Sequence, residues 1–206
     1  TTPEQAAAVA ATERTNRLKY HLRNTTQSVG QLLRNPHALH LANALIDTRQ
    51  PVSLNIPAHL RSAGDPGSYV VQARGPLDAA FRAALQDAGA EWVSYIPNNA
   101  CLVRASAAAA QQLARFAGTQ SVLPFEPYYK LSEPLLPAAV AKAPMPAGLG
   151  LNLVLFAGAA DATRQELLDA GVEIVSEMRT PFGPMLSVRS VPENWYALAA
   201  MPGVQT

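Results

Sequence analysis

The sequence predicts an α+β fold in which an N-terminal helical segment and connection (residues 1–68) precede two tandem βαββαβ units (69–131 and 151–206). Two observations indicate this class. From residue 69 onward, short β-branched and aromatic runs alternate with stretches of helical periodicity. The same order of elements then returns after residue 150 with matching residues, which indicates an internal duplication.

The N-terminal segment carries the start signals of helices. A Thr-Pro-Glu start predicts a helix over residues 4–33, with Thr2 as its N-cap. An Asn-Pro start at residues 35–36 predicts a second helix, whose apolar residues recur at helical spacing: Leu39, Ala42, Leu45 and Ile46. Prolines between residues 49 and 67 favour an extended connection with one short helical turn.

The first repeated unit has the element pattern of a ferredoxin-like sandwich. Its predicted strands cover residues 69–74, 92–95, 100–103 and 121–123. Its two predicted helices cover residues 76–89 and 107–116. This order predicts an antiparallel sheet in the spatial order 4-1-3-2, with helices on one face and the other face free.

The second unit matches the first at a nearly constant offset. Gly89 matches Gly171, an offset of 171 − 89 = 82, whereas Arg104 matches Arg189, an offset of 189 − 104 = 85. Three residues are therefore added between the second and third strands, around residues 180–184. Predicted strands cover 151–156, 172–178, 185–189 and 204–206, and predicted helices cover 161–170 and 192–200.

The composition excludes several classes of function. The 206 residues are 15% charged with a formal net charge of +1, which gives no reason to expect nucleic acid or an anionic membrane surface as a partner. No apolar run approaches the roughly 20 residues that span a bilayer. Cys101 is the single cysteine, so we interpret it as a small buried hydrophobe. We expect neither a metal nor another cofactor.

Four motifs carry a resemblance to a known family. They are Tyr-Val-Val-Gln-x-x-Gly-Pro (69–76), Tyr-Ile-Pro-Asn-Asn-Ala (95–100), Leu-Val-Arg (102–104) and Glu-Pro-Tyr-Tyr-Lys-Leu (126–131). From residue 69 to its end, the chain resembles the pro-region of secreted subtilisin-like serine peptidases. The resemblance implies propeptide-inhibitor modules of ferredoxin-like fold, in a secreted or periplasmic precursor. Such a pro-region is not catalytic: it helps a peptidase domain to fold and holds that domain inactive.

The resemblance also implies a set of partner-binding residues. In similar propeptides the free sheet face packs on paired surface helices of the peptidase, and side chains of the turn between the second and third strands cap those helices. The matching positions are Asn98 and Asn99 in the first unit. In the second unit they are Glu177 and the turn residues Thr180, Phe182 and Gly183. The alternative is that these are ordinary turn residues.

Two constellations are weak candidates for chemistry. Leu45-Ile46-Asp47-Thr48 resembles the strand of the catalytic aspartate in subtilisin-like peptidases, but Arg49 follows, and no His-Gly-Thr or Gly-Thr-Ser-Met-Ala segment is present. We therefore interpret Asp47 as the end of a helix. His37 and His40 are interpreted as solvated helix histidines, because zinc needs three or four convergent ligands.

Two other functions stay open. One is an acylphosphatase-like hydrolase that would use Arg82 and Asn99, although Pro76 removes an amide from its phosphate loop and Arg82 lies inside a helix. The other is a tandem regulatory module that dimerises or binds a small molecule, as on metabolic enzymes. Neither the peptidase nor its specificity follows from the sequence.

The last strand of the second unit is short. Thr206 matches Ser121, which lies inside the last strand of the first unit. Most of the edge at residues 152–156 is therefore expected to be open. We hypothesise that Thr206 is a processing end and that the precursor continues into the missing strand. Residues 132–150 form a predicted Pro-rich linker, with at most a short helix near residue 135.

Overall fold

The computed structural model describes residues 19–145, 148–189 and 191–206. Its strands are β1 (Leu22–Arg23), β2 (Ala38–Leu41), β3 (Ala44–Asp47), β4 (Ser68–Ala73), β5 (Glu91–Ile96), β6 (Ala100–Arg104), β7 (Thr119–Pro124), β8 (Leu151–Val154), β9 (Glu173–Thr180) and β10 (Gly183–Arg189). Its α-helices are α1 (Val29–Leu32), α2 (Ala79–Asp87), α3 (Ala107–Arg115), α4 (Pro127–Lys130), α5 (Leu136–Val140) and α6 (Ala160–Asp169). Short 3-10 helices cover Ala58–Leu60, Glu133–Leu135, Ala157–Ala159 and Trp195–Ala200. The predicted α+β class is confirmed.

Strands β4 to β7 form a four-stranded sheet. All neighbouring strands are antiparallel, and their order is β5-β6-β4-β7. Helices α2 and α3 cover one face, where Phe81 and Leu113 pack against the strands. Helix α2 begins at Ala79, because the Asp78 side chain accepts a hydrogen bond from Phe81 N–H at 2.9 Å. The predicted start at residue 76 is three residues early.

The predicted N-terminal helices are wrong where the structure describes them. Strands β2 and β3 form an antiparallel hairpin over residues 38–47, and β1 pairs with β3 in parallel. Within residues 20–33 the α-helix is confined to Val29–Leu32, and residues 4–18 lie outside the described residues. Both faces of the hairpin are buried, with Ile46 on one side and Leu45 against Leu32 on the other. A strand buried on both faces lacks polar–apolar alternation, which explains the wrong assignment.

Two other interpretations change with this hairpin. Asp47 is the last residue of β3 and is fully buried, so it does not end a helix. His40 lies on β2, and His37 lies in the turn before it, so the two histidines do not share a helix face.

The hairpin covers the second face of the four-stranded sheet. Leu39 and Ile46 belong to the same apolar cluster as Val70 of β4. Thr48 Oγ1 donates a hydrogen bond to Gln72 Oε1 at 2.6 Å, and Gln72 is fully buried. Every residue of β4 is buried. The face that the sequence predicted to be free in this unit is therefore occupied by the N-terminal segment of the chain itself.

The second unit contains the three-stranded antiparallel sheet β8-β10-β9. Helix α6 covers one face, where Leu167 joins Leu153 and Leu186 in the core. The β9–β10 hairpin has strands of 8 and 7 residues, against 6 and 5 in the β5–β6 hairpin. The three added residues therefore lengthen the strands, and the turn itself is only two residues, Pro181 and Phe182.

The predicted final strand is reduced to an isolated bridge. Leu155 pairs with Val204, and Val154 N–H donates to the Thr206 carbonyl at 2.8 Å. The expectation of an open edge is therefore wrong for residues 154–156. The remaining part of β8 has no strand partner on that side among the described residues.

The predicted linker packs into the core. A short helical stretch near residue 135 is confirmed, and in α5 Leu136 and Ala139 are buried. Tyr128 is buried as well: its carbonyl accepts from Asn43 Nδ2 at 2.8 Å, and its hydroxyl donates to the Tyr20 carbonyl at 2.6 Å. One continuous apolar cluster joins the N-terminal hairpin, the first sheet, the linker and the second unit.

Candidate functional site

The face of the β8-β10-β9 sheet opposite α6 is the main candidate surface. Side chains alternate along a strand, so the neighbours of Leu153 and Leu186 point away from the helix. The register aligns these neighbours in two rows across the sheet. We call the six residues of the two rows the open face: Val154, Met185 and Met178, then Asn152, Ser187 and Ser176.

The open face has an apolar half. Met178 is 52% exposed, and Val154 and Met185 are half-buried without belonging to a core cluster. Phe182, in the turn that follows this row, is 72% exposed. Exposed apolar side chains that lie together are typical of protein–protein contact surfaces. The other row is small and polar, with a hydrogen bond from Ser187 Oγ to Asn152 Oδ1 at 2.8 Å.

The turn between β9 and β10 is held by its own residues. Thr180 Oγ1 donates to the Gly183 carbonyl at 2.8 Å and accepts from Phe182 N–H at 3.2 Å. Gly183 has a φ of 135°, and a Cβ there would collide with the Leu155 carbonyl oxygen, so the position requires glycine. The predicted binding residues Thr180, Phe182 and Gly183 thus share one turn, in which Thr180 and Gly183 hold the exposed Phe182 in place.

Glu177, another predicted binding residue, lies on the opposite face of the sheet. It is in register with Leu186 and forms an ion pair with Arg164 of α6. The structure therefore does not bring Glu177 together with the open face.

Asn98 and Asn99 form the turn between β5 and β6, on the other sheet. Both have positive φ, 67° and 58°, a conformation that asparagine tolerates. Asn98 Nδ2 donates to the carbonyls of Asn35 at 3.2 Å and Ala38 at 2.6 Å. In this chain Asn98 joins the first sheet to the N-terminal hairpin, and it lies apart from the Thr180–Gly183 turn.

The buried ionisable groups Asp47 and Cys101 lie in surroundings that serve the fold: an ion pair with hydrogen bonds for Asp47 and an apolar core for Cys101. The Arg49 guanidinium donates to Asp47 Oδ2 at 3.0 Å, and this pairing, together with Asn35 Nδ2 at 2.9 Å, holds the pKa of the Asp47 carboxyl below its usual value. Burial raises the pKa of the Cys101 thiol to about 12, as befits a small buried hydrophobe. Within the described residues, no three His, Cys, Asp or Glu side chains converge to hold a metal.

A cavity of about 70 Å³ lies between α4 and the second unit. Its lining includes Lys130, Leu135, Asn152, Leu198 and Thr206. The Lys130 ammonium donates to the Met201 carbonyl at 3.2 Å, and burial lowers its pKa to about 8. Pockets for small molecules usually exceed about 300 Å³, so this cavity is small for a metabolite.

One family model matches the chain. Residues 21–126, just over half of the sequence, match the model described as a domain of unknown function, DUF8729. The chain belongs to the DUF8729 family. No curated protein and no solved structure matches it. Among the described residues, no helix combines the length and apolar character needed to cross a membrane.

The DUF8729 region comprises β1 to β7 with α1 to α3. The N-terminal hairpin and the sheet that it covers therefore both lie within the matched region. The open face lies outside the DUF8729 region, in residues 151–206.

Sequence reasoning missed the open-face residues Met178, Met185 and Ser187. Their signal was the alternation in Pro-Met-Leu-Ser-Val-Arg (184–189), where Leu186 and Val188 are apolar and buried and the residues between them are not. The sequence does not show which residues of β9 and β10 face each other, because the three added residues could lengthen either the strands or the turn. Only the strand pairing shows that they lengthen the strands.

Proposed function

We propose that the chain is a non-catalytic pro-region that assists the folding of a subtilisin-like serine peptidase and inhibits it until cleavage. In this proposal both units are ferredoxin-like modules. The order β5-β6-β4-β7 with two helices on one face supports this for the first unit. The sheet β8-β10-β9 with the Leu155–Val204 bridge supports it for the second.

The observation that carries the proposal is the open face. It joins an apolar row, in which Met178 is exposed and Val154 and Met185 are half-buried, to the exposed Phe182, on a sheet whose other face packs against α6. A sheet face of this kind can pack against two adjacent surface helices of a partner, because the apolar row can fill the groove between those helices. The second unit is therefore the peptidase-binding unit in our proposal.

The first unit has a different task in this proposal. Its equivalent face is filled by the N-terminal hairpin, with Gln72 and Asn98 bound to that hairpin. The DUF8729 region then serves as a folded scaffold that presents the second unit. A small-molecule site beside Lys130 is less favoured, because the cavity there measures only about 70 Å³.

The test is inhibition of the mature subtilisin-like peptidase of the same precursor, assayed on a chromogenic peptide. The wild-type chain should inhibit it. Met185→Glu and Phe182→Ser should each raise the inhibition constant about tenfold or more, because truncating or charging a central apolar anchor costs about 1.4 kcal/mol or more. The control is Leu168→Glu, a change at an exposed leucine of α6 away from the open face, and it should leave inhibition unchanged.

Two outcomes would count against this proposal in different ways. A wild-type chain that does not inhibit, or that itself hydrolyses peptide, ester or acyl-phosphate substrates, would overturn the pro-region function. Equal inhibition by the wild type and all three variants would keep the function but remove the open face as its site.

A further inference from the structure

Strand β9 is a long edge strand with one free side. It pairs with β10 along its whole length, and no described residue pairs with its other edge. Every residue of β9 except Ile174 and Thr180 is exposed. Such an edge presents unpaired backbone N–H and C=O groups that can accept another strand.

The ladder shows which groups point outward. Leu155 N–H donates to the Pro184 carbonyl at 2.8 Å, so even-numbered residues of β10 bond toward β8. Met185 lies between Pro184 and Leu186, so its backbone groups point to the other side and bond to its register partner Met178 on β9. The backbone groups of Glu177 and Arg179, which flank Met178, therefore point to the free side.

Edge strands are often protected by bulges, and β9 has one. The register shifts between Ser187 and Val188, which leaves Val175 as the extra residue on β9. The bulge is confined to the first half of the strand. From Ser176 to Thr180 the pairing is regular, and this half can extend the sheet.

We propose that the second half of β9 pairs antiparallel with the same segment of a second copy of this chain, about a two-fold axis at Met178. In this register Glu177 of each copy stands opposite Arg179 of the other, in a hydrogen-bonded pair. The two charges are opposite in sign and lie on the same face as Arg164, which already pairs with Glu177. Opposite charges on facing strands are favourable, whereas like charges are not.

Other antiparallel registers fit less well. An axis at residue 177 would place the two Glu177 carboxylates opposite each other. An axis at residue 176 would use Val175, where the bulge disturbs the outward-pointing groups. With the axis at Met178, four backbone hydrogen bonds form, and the two Met178 side chains meet. The apolar row of the open face then continues into the second copy, because both copies present this face on the same side.

The position of the axis can be tested by cysteine cross-linking. Facing residues in a non-hydrogen-bonded antiparallel pair have Cα atoms about 4.5 Å apart, which a disulfide can span. Met178→Cys should therefore give a covalent dimer under mild oxidation. Ser176→Cys should not, because its two copies would lie about 14 Å apart. The native Cys101 is fully buried and does not compete.

The charge pairing can be tested in solution. The wild-type chain should sediment at twice its 21.9 kDa. Arg179→Glu and Glu177→Arg should each sediment as monomers, because each sets like charges opposite one another. An equal mixture of the two variants should form a heterodimer, since every facing pair is then complementary. Circular dichroism confirms that each variant is folded.

Three results would overturn the dimer. They are a monomeric wild-type chain at 100 µM or above, cross-linking of Ser176→Cys without Met178→Cys, and failure of the two folded charge variants to associate when mixed. None of these tests involves the peptidase, so the dimer and the proposed function can fail separately.

Discussion

At the scale of single residues, two buried charges are accommodated in different ways. Asp47 is fully buried, but its carboxylate accepts hydrogen bonds from the Arg49 guanidinium, the Arg49 backbone N–H and Asn35 Nδ2. Lys130 is 4% exposed, and within the part of the chain that the structure describes its ammonium has one hydrogen-bond acceptor, the Met201 carbonyl. Burial of a charged group with few hydrogen-bond partners favours its neutral form, and for a lysine this lowers the pKa. Burial accordingly lowers the pKa of Lys130, which the Glu126 carboxylate opposes only in part.

We predict that Lys130 makes the stability of the chain depend on alkaline pH. Its pKa is about 8 in the folded chain and 10.5 when unfolded, so the unfolded state holds one more proton between these values. The free energy of unfolding should therefore rise with pH in this window, with a limiting slope of about 1.4 kcal/mol per pH unit. Urea unfolding between pH 8 and 10 measures this slope.

The comparison is with Lys130→Met. Cys101 and Tyr69 also titrate in alkaline solution, and their pKa values are raised to about 12, so they oppose the effect above pH 9. Both groups are present in both proteins and cancel in the difference. The wild-type slope should be the more positive one. Parallel curves for the two proteins would mean that Lys130 stays charged in the fold.

At the scale of elements, the N-terminal hairpin is bound to the first sheet by few but specific polar contacts. Asn98 reaches two carbonyls of the segment that leads into β2, and Gln72 bonds to Thr48 and to the Pro36 carbonyl. Between these contacts the hairpin packs through apolar side chains. The side-chain amides of Gln72 and Asn98 therefore hold the hairpin at the edge of the covered sheet face.

We predict that Asn98→Gly loosens this hairpin. Glycine keeps the positive φ of the turn, so the change removes only the two side-chain hydrogen bonds. The expected loss of stability is about 1–2 kcal/mol, with faster amide exchange in β2 and β3. Asn99→Gly is the matched control, because its side chain has no hydrogen bond among the described residues. Equal effects of the two changes would contradict this role for Asn98.

At the scale of the whole molecule, the two predicted units share one core. One apolar cluster contains Leu39 of the hairpin, Val70 of the first sheet, Tyr128 of the connection, and Leu153 and Leu186 of the second unit. Contacts across the connection add to it, such as the hydrogen bond from Trp195 Nε1 to the Ala143 carbonyl at 2.9 Å. A shared core couples the stability of its parts.

We predict that both units unfold in a single transition. The chain has two tryptophans, Trp92 on β5 and Trp195 in the second unit. In Trp92→Phe, the fluorescence of the fully buried Trp195 reports on the second unit, while far-ultraviolet circular dichroism reports on the whole chain. The two urea midpoints should coincide. A lower urea midpoint for the Trp195 fluorescence than for the circular dichroism would show that the shared cluster does not couple the two units.

The sequence by itself determined the repeated elements. The strands and helices from Ser68 to Pro124 are found with small shifts, because their alternating or helical apolar patterns are local. The match between residues 88–94 and 170–176, with three residues added further on, is also read from the sequence alone. The turn at Thr180–Gly183 was predicted for the same reason, since glycine and proline mark turns locally.

Only the tertiary structure decided which surfaces are free. The hairpin of residues 38–47 was predicted as a helix, because burial on both faces removes the alternation that marks a strand. Its position over the first sheet depends on contacts such as Thr48 with Gln72, between residues that the sequence does not relate. The open face therefore lies on the second sheet alone, since whether a face is covered depends on distant residues and not on the local pattern of its strands.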